Sequence, residues 1–73
     1  MPQLIHRPVQ SSSLKSVGYD GKTKSMEILL RDGGLYEHFE VPEHVYAALI
    51  AAVSKGSYYE NYVKRNYARV RKA

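Results

Sequence analysis

The chain has 73 residues and no cysteine, which allows one small domain and excludes disulfide bonds, cysteine-ligated zinc and thiol catalysis. No apolar stretch approaches the ~20 residues that a membrane span needs. The formal net charge of +4 is unevenly placed, because residues 61–73 carry five basic side chains and no acidic one, whereas residues 1–60 hold six Lys/Arg and seven Asp/Glu.

The N-terminal segment carries few signals for regular structure. Pro2, Pro8 and the serine run at residues 11–13 predict a flexible tail over residues 1–10, before the folded domain begins. The segment also lacks the continuous apolar region of a secretion signal. We therefore expect a cytoplasmic protein, in agreement with the absence of cysteine pairs.

The first two predicted strands are separated by a short turn. Residues 14–19 are rich in Val, Leu and Tyr, and a bulge near Ser16 would reconcile the positions of their apolar side chains. Asp20-Gly21 is a hairpin-turn signal. After it, apolar residues alternate with others from Met26 to Leu30, which indicates a strand with one apolar face.

A third strand follows the turn signal Asp32-Gly33-Gly34 and is predicted over residues 35–41. Its alternation places Leu35 and Phe39 on one face, and Tyr36 and His38 on the other,. Two short turns between three strands predict an antiparallel meander.

Helical periodicity replaces the strand pattern after Pro42, which suits the first turn of a helix,. Gly56 is predicted to end this helix in a left-handed conformation. The residues Ser57–Glu60 have the pattern of a capping box and predict the start of a second helix. The inward stripe of the second helix is predicted to be Tyr59, Tyr62, Val63 and Tyr67. The predicted fold class is α+β, in the order β-β-β-α-α, with the two helices packed on one face of the sheet.

Several blocks of the sequence resemble the KTSC domain family. They are residues 12–20 with Val17-Gly18-Tyr19-Asp20, residues 34–39, Val41-Pro42 with Val45-Tyr46, and residues 54–61 with Ser54-Lys55-Gly56-Ser57-Tyr58. The resemblance covers roughly residues 11–66, so residues 11–67 are identified as a KTSC-like domain and residues 68–73 as a basic C-terminal tail.

The resemblance implies a function as well as a fold. The family is named for its place at the C-terminus of some lysyl-tRNA synthetases and also occurs as small stand-alone bacterial and phage proteins, and RNA binding has been suggested for it. Its central Tyr-x-Tyr reads Tyr36-Glu37-His38 here. If those rings form a stacking surface, His38 would stack less strongly than tyrosine and in a pH-dependent way.

The basic C-terminal segment has two interpretations. Clustered positive charge beside Tyr67 is typical of a surface that binds polyanions, whereas a charged terminus also serves only to keep a chain soluble. If the second helix continued past Asn61, Lys64 would lie next to Tyr67 and Arg65 next to Arg69. Cations at the end of a helix also complement its dipole.

The segment Ser54-Lys55-Gly56-Ser57 likewise has two interpretations. It brings a lysine and a glycine to the start of the second helix, where free backbone N–H groups can hold a phosphate. Alternatively, glycine ends one helix, serine caps the next and Lys55 is solvated. Glu60 favours this structural interpretation, because its carboxylate would occupy the same donors.

Catalytic and metal sites have little support in the sequence. His6 falls in the predicted tail, and His38 and His44 lack a nucleophile or a zinc motif,. A pair formed by His38 and Glu40 supplies too few ligands for a metal. We therefore predict no catalytic residue, no metal and no cofactor, and a hydrolase based on His38 or His44 ranks third among the functional hypotheses.

The seven tyrosines cannot all be buried in so small a domain. Tyr36 and Tyr67 are predicted to be exposed and available for stacking on bases, although exposed tyrosine also marks protein interfaces. The leading hypothesis is a small non-catalytic module that binds nucleic acid, RNA rather than DNA. The alternative is a domain that binds a protein or forms a homodimer through an exposed sheet edge. The predicted nucleic-acid-binding residues are Lys55, Lys64, Arg65, Tyr67, Arg69, Arg71, Lys72, Tyr36 and His38.

Overall fold

The computed structural model describes residues 4–73 and consists of one antiparallel sheet and a helical layer. The sheet has five strands in the order β1-β2-β3-β4-β5. The strands are β1 (His6–Pro8), β2 (Leu14–Asp20), β3 (Ser25–Leu30), β4 (Leu35–His38) and β5 (Arg69–Arg71). Helix α1 (Glu43–Ala51) is followed by helix α2 (Lys55–Tyr58), which runs directly into a π-helical turn (Tyr59–Val63).

The α+β class and the helical pair are confirmed, but the sheet has five strands and not three. The two segments that were expected to be tails supply the extra strands at the two edges, and residues 1–3 of the first segment lie outside the described residues. Strand β1 pairs with β2, and β5 pairs with β4. The bulge expected near Ser16 is present, since the register between β2 and β3 shifts between Leu14 and Ser16.

The core lies between the sheet and the helical layer. Every second residue of β2 and β3 faces the helices, because side chains alternate along a strand. Among residues 4–73, nine apolar residues are buried: Leu14, Val17, Met26, Ile28, Val41, Val45, Leu49, Tyr59 and Val63. They come from strands and helices alike, so burying them holds the two layers together.

Tyr36 and His38 share one face of β4, as predicted, but that face is turned toward the helices and not toward solvent. His38 pairs with Met26 and is fully buried at 0% exposure, whereas Phe39 is 37% exposed. The strand ends at His38, and Glu40 adopts a left-handed conformation with φ 56°. This local change of direction ends the alternation of the strand, so Val41 enters the core although Phe39 is exposed.

The junction between the helices also differs from the prediction. Helix α1 is followed by Ala52 in an extended conformation (φ −66°, ψ 140°), and Gly56 lies within α2. The Ser54 side chain accepts the capping hydrogen bond from Ser57 N at 3.4 Å. A Cβ on Gly56 would lie 2.9 Å from the Ser13 hydroxyl oxygen. Glycine is therefore suited to this position by close packing and not by a left-handed backbone.

Candidate nucleic-acid interface

The basic residues at the C-terminus do not continue the second helix. The π-helical turn closes with a hydrogen bond from Lys64 N to Tyr59 O at 2.8 Å, and the chain turns before entering β5. Lys64 and Arg65 therefore lie at the end of the helical layer, whereas Arg69 lies on a strand. The predicted helical neighbour pair of Arg65 and Arg69 is not formed.

Two arginines of β5 converge on one aromatic ring. The guanidinium carbon of Arg69 lies 4.1 Å from the centre of the Tyr36 ring, and that of Arg71 lies 5.6 Å from it. Arg71 also donates a long hydrogen bond, at 3.4 Å, to the Tyr36 hydroxyl. The register pairs Tyr36 with Arg71, so both side chains stand on the same face of the sheet. A cation in this position is attracted by the electron-rich face of the ring, which is a cation–π interaction.

Lys72 belongs to a different surface. Its ammonium group lies 3.0 Å from a carboxylate oxygen of Glu27 and 3.3 Å from one of Glu37. These two hydrogen bonds raise the pKa of Lys72 above its usual value. The predicted phosphate contact is therefore disfavoured, since a phosphate would compete with two carboxylates already in place.

The remaining basic residues of the segment differ in how far carboxylates neutralise them. Lys64 forms an exposed pair with Glu60 at 3.4 Å, a geometry that contributes little in water. Within residues 4–73, Arg65, Arg69 and Arg71 form no ion pair. We refer to Tyr36, Arg65, Arg69 and Arg71 as the basic edge.

His38 does not lie on an exposed stacking surface, contrary to the prediction. Its ring is buried, and its Nδ1 lies 3.3 Å from the Tyr67 carbonyl oxygen while its Nε2 lies 2.9 Å from the Tyr59 hydroxyl. A carbonyl can only accept, so Nδ1 carries the hydrogen and Nε2 accepts from Tyr59. Burial lowers the pKa of His38, and the nearby charge of Arg69 acts in the same direction.

Tyr67 and Lys55 are engaged with the protein itself. The Tyr67 side chain is half-buried and packs against the core. The Lys55 ammonium donates a hydrogen bond to the Ala52 carbonyl oxygen at 3.0 Å, which satisfies a carbonyl at the end of α1. Ser54 and not Ser57 caps α2, Gly56 lies inside that helix, and Lys55 is bonded to the protein, so the junction matches neither interpretation in detail. Glu60 does not complete the predicted capping box, because the helix begins at Lys55 with Ser54 as its cap, and Glu60 instead pairs with Lys64.

Tyr62 is the exposed aromatic residue that sequence reasoning missed. Its side chain is 57% exposed, and its ring lies 4.9 Å from that of Tyr58. The α-helical pattern placed it inward, but the π-helical turn bonds residue i to i+5 and changes which residues face the core. Tyr59 and Val63 are buried, as predicted.

Membrane spans and metal clusters are both absent from the described residues. None of the helices in residues 4–73 is both long and apolar enough to cross a membrane. The same part of the chain contains no cluster of three or more His, Asp or Glu side chains suited to holding a metal ion.

Together these features define a small α+β domain with an antiparallel sheet, helices on one face and a basic edge beside β5. The chain belongs to the KTSC domain family, whose family model matches residues 10–67. A crystal structure of a KTSC domain protein from Yersinia pestis superposes with a TM-score of 0.92, at 31% sequence identity, and the match covers 97% of this chain and 100% of that one.

A similar sequence occurs in small relatives and within much larger ones. An uncharacterized protein from Stutzerimonas stutzeri is 38% identical over 61 residues, which are 84% of this chain and 86% of the relative. A lysine–tRNA ligase from Nostoc punctiforme is 33% identical over 58 residues, which are 80% of this chain and 10% of the ligase. The same domain therefore occurs both as most of a small protein and as a minor part of a large one.

Proposed function

We propose that this protein binds single-stranded RNA through the basic edge. The observation that carries the proposal is the convergence of Arg69 and Arg71 on the ring of Tyr36, at 4.1 and 5.6 Å, with no Asp or Glu partner for either among residues 4–73. Guanidinium planes stack on bases and bind phosphates through paired hydrogen bonds. A guanidinium beside an aromatic ring therefore offers both kinds of contact that single strands require, although a phosphate at Arg71 would compete with its bonds to Ala73 O at 3.0 Å and to the Tyr36 hydroxyl at 3.4 Å.

The roles within the basic edge differ. Arg71 is exposed, and Arg65 is exposed at the end of the helical layer, so these two would contact phosphates. Arg69 is half-buried and donates to the Tyr59 hydroxyl at 3.2 Å, so it would hold Tyr36 in place. Tyr62, which replaces His38 as the second aromatic candidate, would stack on a base.

The relatives favour RNA over DNA as the partner. The lysine–tRNA ligases of two Nostoc strains carry a similar segment, and the substrate in their name is an RNA. RNA binding would also agree with the cytoplasmic location expected from the sequence. The 2′-hydroxyl is the group by which a protein distinguishes the two nucleic acids.

Strand addition by a protein partner receives less support. Both edges of the sheet are only three residues long. Strand β1 ends with Pro8, and β5 has the sequence Arg-Val-Arg. Proline, charge and short length are features that protect sheet edges from pairing with another chain.

The test is fluorescence anisotropy with a labelled ten-nucleotide RNA at a series of KCl concentrations. The double variant Arg65→Gln/Arg71→Gln should lower the log–log salt slope by roughly 1.4, because each neutralised phosphate contributes ~0.7 to the slope on single strands. The charge-matched control Lys15→Gln/Lys22→Gln changes exposed lysines outside the basic edge and should keep the slope.

Three outcomes would decide against parts of the proposal. Absence of binding at 50 mM KCl, or equal losses in the two double variants, would reject the basic edge as the site. Equal affinity for DNA of the same sequence would reject only the preference for RNA.

A further inference from the structure

Three polar side chains form a hydrogen-bonded row on the sheet face that points away from the helices. His6 Nδ1 lies 2.8 Å from the Ser16 hydroxyl oxygen, and His6 Nε2 lies 2.7 Å from a carboxylate oxygen of Glu27. Glu27 stands between the core residues Met26 and Ile28, so alternation along β3 directs it to the other face. The row joins β1, β2 and β3.

The absence of a side chain at Gly18 allows the His6 imidazole to extend across β2 toward Glu27. The register pairs His6 with Gly18 and Gly18 with Glu27. A Cβ on Gly18 would lie 2.8 Å from His6 Cδ2, which is closer than carbon atoms can approach without movement. The missing side chain therefore leaves the space in which the His6 ring lies.

The hydrogen-bond partners determine where the protons lie on His6. Burial raises the pKa of Glu27, but hydrogen bonds from His6 and Lys72 outweigh burial and hold that pKa below its usual value. The ionised carboxylate can only accept, so His6 Nε2 carries a hydrogen. In the neutral ring Nδ1 then has a free lone pair, and the Ser16 hydroxyl donates to it. A serine hydroxyl that donates to a histidine oriented by a carboxylate occurs in serine hydrolases, although there the serine faces Nε2 and the carboxylate Nδ1, so the two ring nitrogens have exchanged roles here,.

The row opens into a cavity large enough for a small molecule. Its volume is about 480 Å³, and Leu4, Leu29 and Leu35 supply its apolar wall. Ser16, His6 and Glu27 line the same cavity, together with Lys72. A cavity of this size, with an apolar wall and a few polar groups, is typical of ligand sites.

We propose that Ser16 is a nucleophile activated by His6, in a second site that accepts short-chain acyl esters. Glu27 is a positioning residue that keeps the His6 Nδ1 lone pair on Ser16. The acyl chain would lie against Leu29 and Leu35, and Lys72, which is paired with Glu27 and Glu37, lines the same cavity. This site is on the opposite face of the sheet from Tyr36 and does not depend on RNA binding.

The reaction needs only the ester and water. The Ser16 oxygen attacks the acyl carbon while its proton passes to His6 Nδ1, and the alcohol then leaves with that proton as the ester bond breaks. Water attacks the acylated Ser16 and gives its proton to His6 Nδ1. The carboxylic acid is released when the proton returns to the Ser16 oxygen.

A fluorophosphonate probe tests the first step directly. Its phosphorus would bond to the Ser16 oxygen, fluoride would leave and the hydroxyl proton would pass to His6. Fragmentation of the tryptic peptide 16–22, in which Ser16 is the one serine, should locate the probe on that residue. Ser16→Ala should abolish labelling, because it removes the oxygen that bonds to phosphorus, and His6→Gln should slow labelling by at least ~100-fold, the usual contribution of a general base. Ser12→Ala, at an exposed position outside the row, should label at the wild-type rate.

Glu27→Gln separates positioning from a purely structural role. The glutamine amide can donate to Nε2, which would place the His6 proton on Nδ1 and remove the acceptor for Ser16. Labelling should fall by roughly tenfold or more with an altered pH profile, in protein whose amide NMR spectrum still shows a folded chain. No labelling of the wild type, labelling elsewhere than Ser16, or an unchanged rate in His6→Gln would overturn the proposal.

Discussion

The Tyr59 hydroxyl donates a hydrogen bond to the buried ring of His38 at 2.9 Å. The two rings meet edge to face, with centroids 5.3 Å apart and planes at 83°. Because Tyr67 O accepts from the other ring nitrogen, both nitrogens of the neutral imidazole have partners, and protonation would require the Tyr59 hydroxyl to turn its hydrogen away. A proton added to Nε2 would face a hydroxyl that already points its hydrogen at it.

Acidification should therefore destabilise the fold through His38. Burial lowers the folded-state pKa of His38 below its usual value of 6.5, so between these two pKa values the unfolded chain binds more protons. Stability is then full above pH 6.5 and falls as the pH decreases toward the folded pKa, by up to ~1.4 kcal/mol per pH unit. Urea unfolding followed by circular dichroism at pH 8, 7, 6 and 5 measures this slope.

Two histidine variants assign the slope to its source. His38→Gln should be less stable at pH 8 and should show a weaker pH dependence below 6.5. His44→Gln, at an exposed position in the first turn of α1, should keep the wild-type dependence. A slope that survives His38→Gln unchanged would contradict the assignment.

Glu27 should contribute more stability than Glu37, although both contact Lys72. Glu27 is 7% exposed and is bonded to both His6 and Lys72, and hydrogen bonds to charged groups contribute about 1.5–3 kcal/mol each when buried. Glu37 makes one ion pair at 3.3 Å. Glu27→Gln should lower the free energy of unfolding at pH 7 by about 1–3 kcal/mol, and Glu37→Gln by less than ~1 kcal/mol.

The pH dependence of the two glutamate variants provides an independent check. The folded-state pKa of Glu27 is held below its usual value of 4.5, so its contribution is present above that pH and is lost as the pH falls through the folded pKa. The stability difference between wild type and Glu27→Gln should therefore shrink on acidification below 4.5. Equal losses in both variants at pH 7 would refute the distinction.

The central part of the fold could be predicted because its signals are local. The turns at Asp20-Gly21 and Asp32-Gly33-Gly34, with apolar alternation between them, indicated β2 to β4 without knowledge of any distant contact. The helical spacing from Val45 onward likewise predicted α1. Gly33 has a φ of 98°, as the turn chemistry requires.

The edge strands and the partners of the basic residues depend on contacts distant in sequence. Nothing in His6–Pro8 has a strand period, and β1 forms because Gly18 leaves room for His6 to reach Glu27. Strand β5 pairs along its whole length with β4, and this register sets Arg71 opposite Tyr36, 35 positions apart. Such pairings leave no periodic signal in the sequence. The ion pair between Lys72 and Glu27 therefore could not be predicted from it.

Gly18→Ala should detach β1 from the sheet. The new methyl group would start 2.8 Å from His6 Cδ2 and 3.1 Å from Leu4 Cβ, and overpacking of this kind costs about 1–3 kcal/mol. Amide hydrogen exchange should show loss of protection at Val9 N, which donates to Lys15 O at 3.2 Å.

Gly21→Ala is the matched control for Gly18→Ala. Its nearest contact would be Tyr19 Cε2 at 3.8 Å, an ordinary van der Waals distance, and Gly21 does not have a positive φ. We expect a change within about ±0.5 kcal/mol and unchanged protection of Val9. Loss of protection at Val9 in this variant would show that the exchange does not report the packing at Gly18.

Substitution of Arg69 should affect the stability of the fold more than substitution of Arg71, the residue that we expect to contact RNA. Arg69 covers the Tyr36 ring at 4.1 Å and donates to the Tyr59 hydroxyl at 3.2 Å. Arg69→Gln should therefore cost about 1–2 kcal/mol, because it removes a cation–π interaction and a hydrogen bond. Arg71 is exposed and lies farther from the ring, at 5.6 Å, so Arg71→Gln should cost less than ~0.5 kcal/mol.

Urea unfolding and RNA anisotropy on the same samples measure the effects of both variants on stability and on RNA binding. If Arg71→Gln destabilises the fold as much as Arg69→Gln, the division of roles within the basic edge is wrong.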